Sequence, residues 1–430
     1  MHTVLLLGNG GREHAMAWKL QQSKLLSKLY IAPGNPGTAL LGENVNVNIN
    51  DFEALKKLSL DKQITMLVVG PEEPLVNGVT DFFHNDPQLK HIVVIGPDKR
   101  GAQLEGSKDA AKIFMQKYGI PTAQYQTFTA ENKDKGAIFL QSLEAPYVLK
   151  ADGLAAGKGV LIIDDIREAQ LQLDEILNGK FGAAGQKVVI EQFLKGIELS
   201  VFVLTDGKSY KILPEAKDYK RIGAGDTGPN TGGMGSVSPV SFADKSFMKK
   251  VEERVITPTI KGLQQENIKY CGFLFIGLMN VDGNPYVIEY NVRMGDPETQ
   301  SVMLRLDADL LDLFDGVGAG TLNDKSCRTL LQTAVTVVCV AGGYPDNYEK
   351  GKIISGLETD TPGLIFYAGT ARDKDNRVIT AGGRVLAVTS TGNNIEEARE
   401  AAYKTISAIR YEGMYFRTDI GNDLIHLTSR

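Results

Sequence analysis

Residues 150–160 read Lys150-Ala-Asp-Gly153-Leu-Ala-Ala-Gly157-Lys158-Gly159-Val160, a glycine-rich stretch between two strand-like segments at 147–150 and 160–163. Small residues allow backbone N–H groups to close around phosphate oxygens, and Lys150 and Lys158 would neutralise phosphate charge. The stretch therefore predicts a phosphate-binding loop joining two strands. A surface hairpin with a flexible tip is the alternative interpretation of the same residues.

This loop differs from a P-loop, which requires Gly-x-x-x-x-Gly-Lys-Ser/Thr between a strand and a helix. Gly153 and Gly157 are one residue too close, and Gly159 stands where Ser or Thr should bind the metal. A strand-like segment also follows in place of a helix. The pattern therefore argues against a P-loop nucleotide site.

The composition is typical of an ordinary globular protein with two to four domains: 430 residues, 43% hydrophobic and 23% charged. The formal net charge is −5, and no basic run is interleaved with aromatic residues, so a nucleic-acid partner is not expected. Three distant cysteines argue against disulfides or a zinc site. No leader and no apolar run of about 20 residues is visible. We expect a cytoplasmic protein that binds small molecules and no membrane.

The first hundred residues alternate apolar strands with helical patterns, which predicts a parallel α/β domain. Ligands of such sheets bind beyond the carboxyl ends of the strands. Gly8-x-Gly10 suggests a dinucleotide fingerprint, but Glu13 replaces its third glycine. An anion at the N-terminus of the helix after Gly11, assisted by Arg12, is the better expectation. The polar strand ends that should converge are residues 8–13, 33–37, 70–72 and 96–97.

Two further segments could contact a nucleotide. Ser107 predicts the N-cap of a helix that ends at Gly119. Lys108 lies in its first turn, where a cation opposes the helix dipole, so Lys108 is either solvated or close to a bound anion. Residues 188–194 could support a purine ring, although a buried strand with one polar face explains them equally well.

A third segment, residues 223–235, contains six glycines in thirteen residues. It is either a disordered linker or a loop that closes over substrate. The adjacent Lys220 and Arg221 favour the closing loop.

A pair of strands at 272–281 and 285–293 suggests a metal site. Strand alternation would put Val287, Glu289, Asn291 and Arg293 on one face. Oxygen ligands two residues apart suit a hard cation such as Mg²⁺, whereas a salt bridge on an edge strand also explains Glu289. Asp296 is predicted to be the N-cap of a helix that begins with proline.

Taken in order, Lys108, Lys150 with its loop, Glu191, Glu289 and Asn291 resemble the nucleotide site of the ATP-grasp ligases. Within that superfamily the chain is similar to the glycinamide ribonucleotide synthetase family. The motifs that carry this similarity are residues 8–14, 32–35, 69–72, 150–159, 226–235 and 295–300.

The resemblance implies a multidomain α/β and α+β protein with an ATP-grasp fold. Residues 1–104 would form an N-terminal parallel α/β substrate-binding domain. Residues 105–325 would form the ATP-grasp domain, with a small mobile lobe at about 122–194. Residues 326–430 would form a C-terminal α+β domain. We expect a monomer or a weak dimer.

The resemblance also implies ligation of glycine to 5-phosphoribosylamine, with ATP and Mg²⁺ or Mn²⁺, in purine biosynthesis. Glycyl phosphate would be the intermediate, and the products would be glycinamide ribonucleotide, ADP and phosphate. An ATP-grasp ligase or carboxylase with another acceptor is the alternative. Two hypotheses from other functional classes are a nicotinamide-dependent oxidoreductase and a non-catalytic nucleotide sensor.

The resemblance assigns roles to individual residues. ATP would contact Lys108, Lys150, Gly153, Gly157, Lys158, Gly159, Glu191, Phe193, Leu194 and Glu198. The other substrates would contact Asn9, Gly10, Gly11, Arg12, Glu13, Glu72, Asp218, Lys220, Arg221, Arg293, Gly295 and Asp296. Arg293, Lys220 and Asp296 would take part in catalysis, and Glu289 and Asn291 would bind the metal.

The sequence departs from the family pattern at three positions, the first of which is Lys217, where the family usually has glutamine. Tyr219 stands where the family usually has histidine, and Met294 stands where it usually has phenylalanine. These changes leave the role of position 219 open. Residues 272–280 contain no acidic residue, so a second magnesium ion would need ligands elsewhere.

Overall fold

The N-terminal part of the chain forms the parallel sheet that the sequence predicts. In this computed structural model, which describes residues 1–154 and 159–428, the strand order is β3-β2-β1-β4-β5, with all pairings parallel. Val4, Leu5, Leu6 and Leu7 are fully buried because helices cover both faces of the sheet. The strands are β1 (His2–Gly8), β2 (Leu26–Pro33), β3 (Glu43–Asn44), β4 (Met66–Val69) and β5 (Val93–Ile95).

Five helices accompany this sheet. The helical segment between β4 and β5 is divided into two helices at Gly78, whose φ of +96° only glycine adopts readily. The helices are α1 (Gly11–Leu20), α2 (Phe52–Asp61), α3 (Glu72–Asn77), α4 (Val79–Asn85) and α5 (Gln103–Gly106).

A small antiparallel lobe follows, with strand order β6-β9-β7-β8. Phe128, Leu149, Leu173 and Ile190 are among the residues of its own hydrophobic cluster, which is separate from the larger clusters of the chain. The elements are α6 (Lys108–Lys117), β6 (Tyr125–Thr129), α7 (Lys133–Gln141), β7 (Tyr147–Ala151), β8 (Val160–Ile163), α8 (Ile166–Glu175) and β9 (Lys187–Gln192).

The central sheet is antiparallel with order β11-β10-β16-β17. Its strands are β10 (Ile197–Thr205), β11 (Tyr210–Ile212), β16 (Gly272–Val281) and β17 (Asn284–Asn291). Segments between β11 and β16 form β12 (Lys217–Asp218), β13 (Arg221–Gly223), β14 (Thr227–Asn230), β15 (Gly235–Ser238), α9 (Lys245–Val251) and α10 (Thr257–Gln265).

The prediction that Val287 shares a face of the strand with Glu289, Asn291 and Arg293 is wrong. Val287 pairs with Leu278 and Glu289 pairs with Gly277, so Ile288 is an extra residue in β17. Such a bulge breaks the two-residue repeat of a strand. Val287 consequently packs in the core, whereas Glu289 remains partly exposed beside the predicted nucleotide site.

The C-terminal sheet has the order β12-β15-β20-β24-β21, so two of its strands come from residues 217–238. Asn394 caps α13, accepting a hydrogen bond from Glu397 N at 2.8 Å. The described residues contain no helix with the length and hydropathy needed to cross a bilayer. The remaining elements are α11 (Glu298–Arg305), β18 (Leu306–Asp307), α12 (Leu310–Ala319), β19 (Arg328–Thr329), β20 (Thr333–Val340), β21 (Leu364–Tyr367), β22 (Thr370–Arg372), β23 (Val378–Thr380), β24 (Arg384–Gly392), α13 (Ile395–Ala408) and α14 (Asn422–Thr428).

Candidate active site

The start of α6 is bound directly to the first residues of the glycine-rich loop. Ser107 caps the helix as predicted, and its hydroxyl accepts a hydrogen bond from Ala110 N at 3.1 Å. The Asp152 carboxylate accepts hydrogen bonds from Ser107 Oγ at 3.0 Å and from Asp109 N at 2.8 Å. Lys108 Nζ donates to the Gly153 carbonyl oxygen at 3.2 Å. Because Lys108 is half-buried and bonded to Gly153, it is not the freely solvated side chain that the alternative required. Burial lowers the pKa of Lys108, with Glu289 opposing the shift.

Lys150 is held in a buried network of three charged side chains. Its Nζ lies 2.9 Å from Glu191 Oε1 and donates to the Ile288 carbonyl oxygen at 3.2 Å. Lys112 Nζ donates to Glu191 Oε2 at 2.9 Å and to Thr122 Oγ1 at 2.7 Å. Burial raises the pKa of Glu191, but the two ammonium groups outweigh burial and lower it overall. Burial lowers the pKa of Lys112 to about 8.

Lys112 is therefore a member of the site that the sequence did not indicate. Its only signal was its position four residues after Lys108, on the same face of α6. The adenine contact of Glu191 remains a prediction, because both of its carboxylate oxygens lie 2.9 Å from lysine nitrogens.

Other predicted ATP contacts surround this network. Phe193 and Leu194 are partly buried and follow the end of β9. Gly153 packs closely, since a Cβ there would lie 3.0 Å from Ala184. The Gly159 carbonyl oxygen accepts a hydrogen bond from Ala151 N at 2.8 Å. Gly157 and Lys158 lie outside the described residues.

Glu289 has the properties of a cation ligand. Burial raises its pKa, but Lys220, Lys150, Lys108 and Arg293 outweigh burial and keep the carboxylate ionised. Gly277 leaves room for it, since a Cβ there would lie 3.1 Å from Glu289 Cγ. Among the described residues its oxygens form no hydrogen bond or ion pair with protein atoms. An ionised carboxylate without a protein partner is a suitable ligand for a hard cation.

Asn291 completes the predicted metal pair. Its Oδ1 accepts a hydrogen bond from Arg293 Nη2 at 3.0 Å, and its buried Nδ2 has no partner in the part of the chain that the structure describes. That same part contains no group of three or more His, Cys, Asp or Glu that could hold a metal. Mg²⁺ commonly takes one or two protein side chains and fills its other positions with phosphate and water. The donor set therefore fits magnesium better than a metal that requires a complete protein cage.

Arg293 connects the metal pair to the N-terminal sheet. Its Nε lies 3.3 Å from Glu72 Oε2, and its Nη2 donates to Glu105 Oε1 at 2.7 Å. Arg293 Nη1 donates to the Met294 carbonyl oxygen at 3.2 Å, and Arg12 Nη1 donates to the same oxygen at 3.1 Å. The structure thus brings Arg12, Glu72 and Arg293 together as the sequence predicted.

Glu13 is engaged within its own loop. Its Oε2 accepts a hydrogen bond from Gly10 N at 2.7 Å, and its Oε1 accepts one from Arg12 Nε at 2.6 Å. Gly8 has a φ of +124°, and a Cβ there would lie 2.4 Å from Glu13 Cγ. Glu13 therefore fixes the loop of residues 8–11, where Asn9 is exposed and Gly11 is buried. A substrate contact by Glu13 remains a prediction.

A group of acidic residues surrounds Lys220. Lys220 Nζ donates to Glu198 Oε2 at 2.8 Å. Burial raises the pKa of Asp218, with Lys220 opposing and Glu198 adding to the rise. Glu298 is buried and accepts a hydrogen bond from Ser200 Oγ at 3.1 Å, and burial, reinforced by Asp218, raises its pKa to about 7.

Gly295 and Pro297 lie in the short segment that precedes Glu298 at the start of α11. A Cβ at Gly295 would lie 2.4 Å from Glu298 Oε2, so a larger residue there would displace the Glu298 carboxylate. The predicted N-cap role of Asp296 is wrong, because Pro297 occupies the N-cap of α11. The Asp296 carboxylate instead accepts a hydrogen bond from Gln300 Nε2 at 2.9 Å and pairs with Arg384 Nη2 at 3.2 Å. Burial raises the pKa of Asp296, but the charges of Arg384 and Arg12 outweigh the effect of burial and lower the pKa overall.

The glycine-rich segment at 223–235 is not a disordered linker. The segment begins at the last residue of β13 and contains β14, and we call these two paired strands the glycine hairpin. Arg221 Nη1 donates to the Gly228 carbonyl oxygen at 2.7 Å, and the buried Arg417 pairs with Asp226 at 2.7 Å. A cleft of about 550 Å³ separates the hairpin from β8 and α8 and is lined in part by Arg221, Asn230 and Lys180. Closure of the hairpin over substrate remains a prediction.

Tyr219 points away from the charged site. Its hydroxyl donates to Asp423 Oδ1 at 2.6 Å and accepts a hydrogen bond from Gly421 N at 3.1 Å. Its ring lies 5.3 Å from the guanidinium carbon of Arg417. Tyr219 therefore anchors the C-terminal segment against the base of the glycine hairpin.

An antiparallel lobe that carries Lys150 faces a second antiparallel sheet that carries Glu289 and Asn291. This architecture, with Lys108 at the start of the connecting helix, defines an ATP-grasp enzyme.

Comparison with known proteins identifies the family. Models of phosphoribosylglycinamide synthetase match residues 2–105 (N domain), 106–299 (ATP-grasp domain) and 334–423 (C domain). The phosphoribosylamine–glycine ligase of Salmonella typhi is 45% identical over 424 residues, which cover 97% of each chain. The ligase of Escherichia coli strain K12 is 44% identical over 424 residues, again covering 97% of each chain.

A solved structure supports the same assignment. The crystal structure of phosphoribosylamine–glycine ligase from Thermotoga maritima has a TM-score of 0.82 and 38% identity, covering 97% of this chain and 100% of that one. This chain belongs to the phosphoribosylglycinamide synthetase family.

Proposed function

We propose that this protein ligates glycine to 5-phosphoribosylamine with ATP, producing glycinamide ribonucleotide, ADP and phosphate in purine biosynthesis. The observation that carries the proposal is the ionised Glu289 carboxylate, which has no protein partner within the described residues. It lies among the charges of Lys108, Lys150, Lys220 and Arg293. Family membership over almost the whole chain supports the choice of substrates.

The reaction has two steps. A carboxylate oxygen of glycine attacks the γ-phosphorus of ATP, ADP leaves, and glycyl phosphate forms. The amine of phosphoribosylamine then attacks the glycyl carbonyl carbon, the amine loses a proton, and phosphate leaves with the former carboxylate oxygen. Neither step requires a covalent bond to the protein, so the site needs mainly positioning and charge neutralisation.

The nucleotide end of the site uses the buried lysines. Lys108 and Lys150 would neutralise the phosphates, with Gly153, Gly157, Lys158 and Gly159 closing around them. Mg²⁺ or Mn²⁺ held by Glu289 and the Asn291 amide oxygen would neutralise further phosphate charge. We infer that adenine lies against Glu191, Phe193 and Leu194, and that Glu198 contacts the ribose.

The acceptor end uses the loop that Glu13 fixes. Phosphoribosylamine would lie against residues 9–13 and Glu72, where Arg12 and the N-terminus of α1 favour a phosphate group. Asp218 or Asp296 would face the ammonium group of glycine, next to Gly295. Lys220, Arg221 and Arg293 would bind the anionic groups that change charge during the reaction.

We further infer that the glycine-rich segment at 223–235 acts as a lid. Glycyl phosphate would be hydrolysed in open water, so a cover over the site serves the reaction. We propose domains at 1–104, 105–325 and 326–430, with a mobile lobe at about 122–194. We also propose a cytoplasmic monomer or weak dimer that binds neither nucleic acid nor membrane.

The test is substrate-dependent ADP formation by the purified protein with ATP and magnesium. We expect ADP only when glycine and phosphoribosylamine are both present, together with glycinamide ribonucleotide in equal amount. Bicarbonate in place of glycine should give no ADP above background. ADP formation that requires bicarbonate would favour an ATP-grasp carboxylase, and nucleotide binding without any ADP formation would favour a nucleotide sensor.

A further inference from the structure

Glu105 is a buried carboxylate directly behind Arg293. It lies in α5, three residues before the first residue of the helix that carries Lys108. The Glu105 side chain is only 7% exposed. Its Oε1 accepts a hydrogen bond from Arg293 Nη2 at 2.7 Å, and its Oε2 accepts one from Val292 N at 2.7 Å. One carboxylate therefore fixes both the backbone and the guanidinium at the end of β17.

The hydrogen bonds of Arg293 show what this contact achieves. A guanidinium has five N–H donors in a fixed plane. Nη2 donates to Glu105 and Asn291, Nε donates to Glu72, and Nη1 donates to the Met294 carbonyl oxygen. One Nη1 donor remains without a partner among the described residues. The orientation of the plane decides where that donor points.

The same contact reaches the predicted metal pair. Arg293 Nη2 shares its two donors between Glu105 and the Asn291 amide oxygen. A rotation of the guanidinium away from Glu105 would therefore also move the group that orients Asn291. Glu72 alone cannot hold the plane, because its contact is longer, at 3.3 Å, and its side chain is 32% exposed.

We propose that Glu105 is a positioning residue that holds Arg293, and through it Asn291, in the orientation needed for phosphoryl transfer. The inference rests on the proposed function, because it assigns Arg293 to the reacting groups. Glutamine cannot replace Glu105, because its amide NH₂ would face either Val292 N–H or the guanidinium, which are both donors.

The test is a double-mutant cycle with Glu105→Gln and Arg293→Ala, measured as kcat and KM for ATP and glycine. Displacement of a reacting group by about 1 Å can cost about 100-fold in rate, so we expect Glu105→Gln to lower kcat by about 10- to 100-fold. The KM for ATP should change by less than about 3-fold, since the lysines that neutralise the phosphates remain. In the Arg293→Ala background, Glu105→Gln should cost less than about 2-fold more, because the residues act as a unit.

Glu215→Gln is the matched control. Glu215 is also a carboxylate that accepts a backbone hydrogen bond, from Val240 N at 3.2 Å, and it lies 3.9 Å from an arginine, Arg305. This pair lies outside the candidate active site, so kcat should stay within about 2-fold of wild type. If Glu105→Gln does not fold, Glu105→Asp replaces it, because aspartate keeps the charge but is too short to reach both donors.

The outcomes separate the inference from the proposed function. Wild-type protein that forms no ADP with glycine and phosphoribosylamine would overturn the proposed function. If the wild type is active, two results would overturn the positioning role of Glu105. One is that the losses in the double-mutant cycle are fully additive, and the other is that Glu105→Gln has the same kcat as Glu215→Gln.

Discussion

Replacement of Glu191 by glutamine should destabilise the small lobe strongly. The Glu191 carboxylate lies 2.9 Å from both Lys112 and Lys150, and the three side chains are 2–6% exposed. Removing one partner of a buried ion pair typically costs about 3–5 kcal/mol, because the remaining charge is left uncompensated. Glutamine leaves two buried ammonium groups without an anion. We therefore expect a loss of about 3–5 kcal/mol, which corresponds to roughly 150- to 5000-fold in the local opening equilibrium.

Amide hydrogen exchange in β7 and β9 measures this local opening. Lys187→Met is the control, since Lys187 pairs with Asp109 in the same lobe but is 45% exposed. Loss of such an exposed pair should cost less than about 1 kcal/mol. The exchange rates in Lys112→Met should fall between those of Glu191→Gln and Lys187→Met, because Glu191 still pairs with Lys150. Exchange rates in Glu191→Gln that match those of Lys187→Met would refute the reasoning.

Three further predictions concern the reaction and its pH dependence. Glu289→Ala should abolish ADP formation while circular dichroism and the melting temperature stay near wild type; turnover close to normal would remove Glu289 from the metal site. Lys150→Ala should raise the ATP concentration for half-maximal rate by about 10-fold or more, and an unchanged ATP dependence would place Lys150 outside the phosphate site. His14 Nδ1 accepts a hydrogen bond from Tyr367 N at 2.8 Å, and burial lowers its pKa to about 4. The unfolded state therefore binds a proton more readily than the folded state. The contribution of neutral His14 to the free energy of unfolding is present above pH 6.5, and about 3 kcal/mol of stability is lost as the pH falls towards 4. Denaturant titrations of wild type and His14→Gln should diverge in this pH window, and parallel curves would contradict the assignment.

The sequence predicted those features that depend on local pattern. Uninterrupted apolar runs such as residues 4–7 indicated buried parallel strands. Ser107 was recognisable as an N-cap because a capping side chain bonds within its own first turn. The order of Lys108, Lys150 and Glu289 along the chain resembles that of the ATP-grasp ligases, and the nucleotide site that it implies remains a prediction.

Features that depend on distant contacts were not predictable in the same way. The sequence did not indicate helix α7, which contains Gly136, an unfavourable helix residue. A Cβ at Gly136 would lie 2.9 Å from Leu173, so the packing of α7 against α8 favours glycine there. Asp296 resembled a helix cap, but Arg384 from the C-terminal sheet binds its carboxylate. The bulge at Ile288 in β17 likewise depends on the pairing with β16, and the pattern of apolar residues does not indicate it.

Buried charges outside the motifs were also missed. Lys112 and Glu105 each contact a predicted site residue that is 79 or 188 positions away in the chain. A single charged residue in a helical pattern is usually a solvated one, so no local signal separated these two from surface residues.

The transfer of a glycine oxygen to phosphate tests the central claim, that the carboxylate is activated as glycyl phosphate. Wild-type protein would be incubated with ATP, magnesium, phosphoribosylamine and glycine labelled with oxygen-18 in its carboxylate, and the released phosphate would be analysed by mass spectrometry. We predict one labelled oxygen in each phosphate, because the carbonyl carbon loses that oxygen when the amine attacks. Phosphate that carries no label, formed together with the ligated product, would contradict the account.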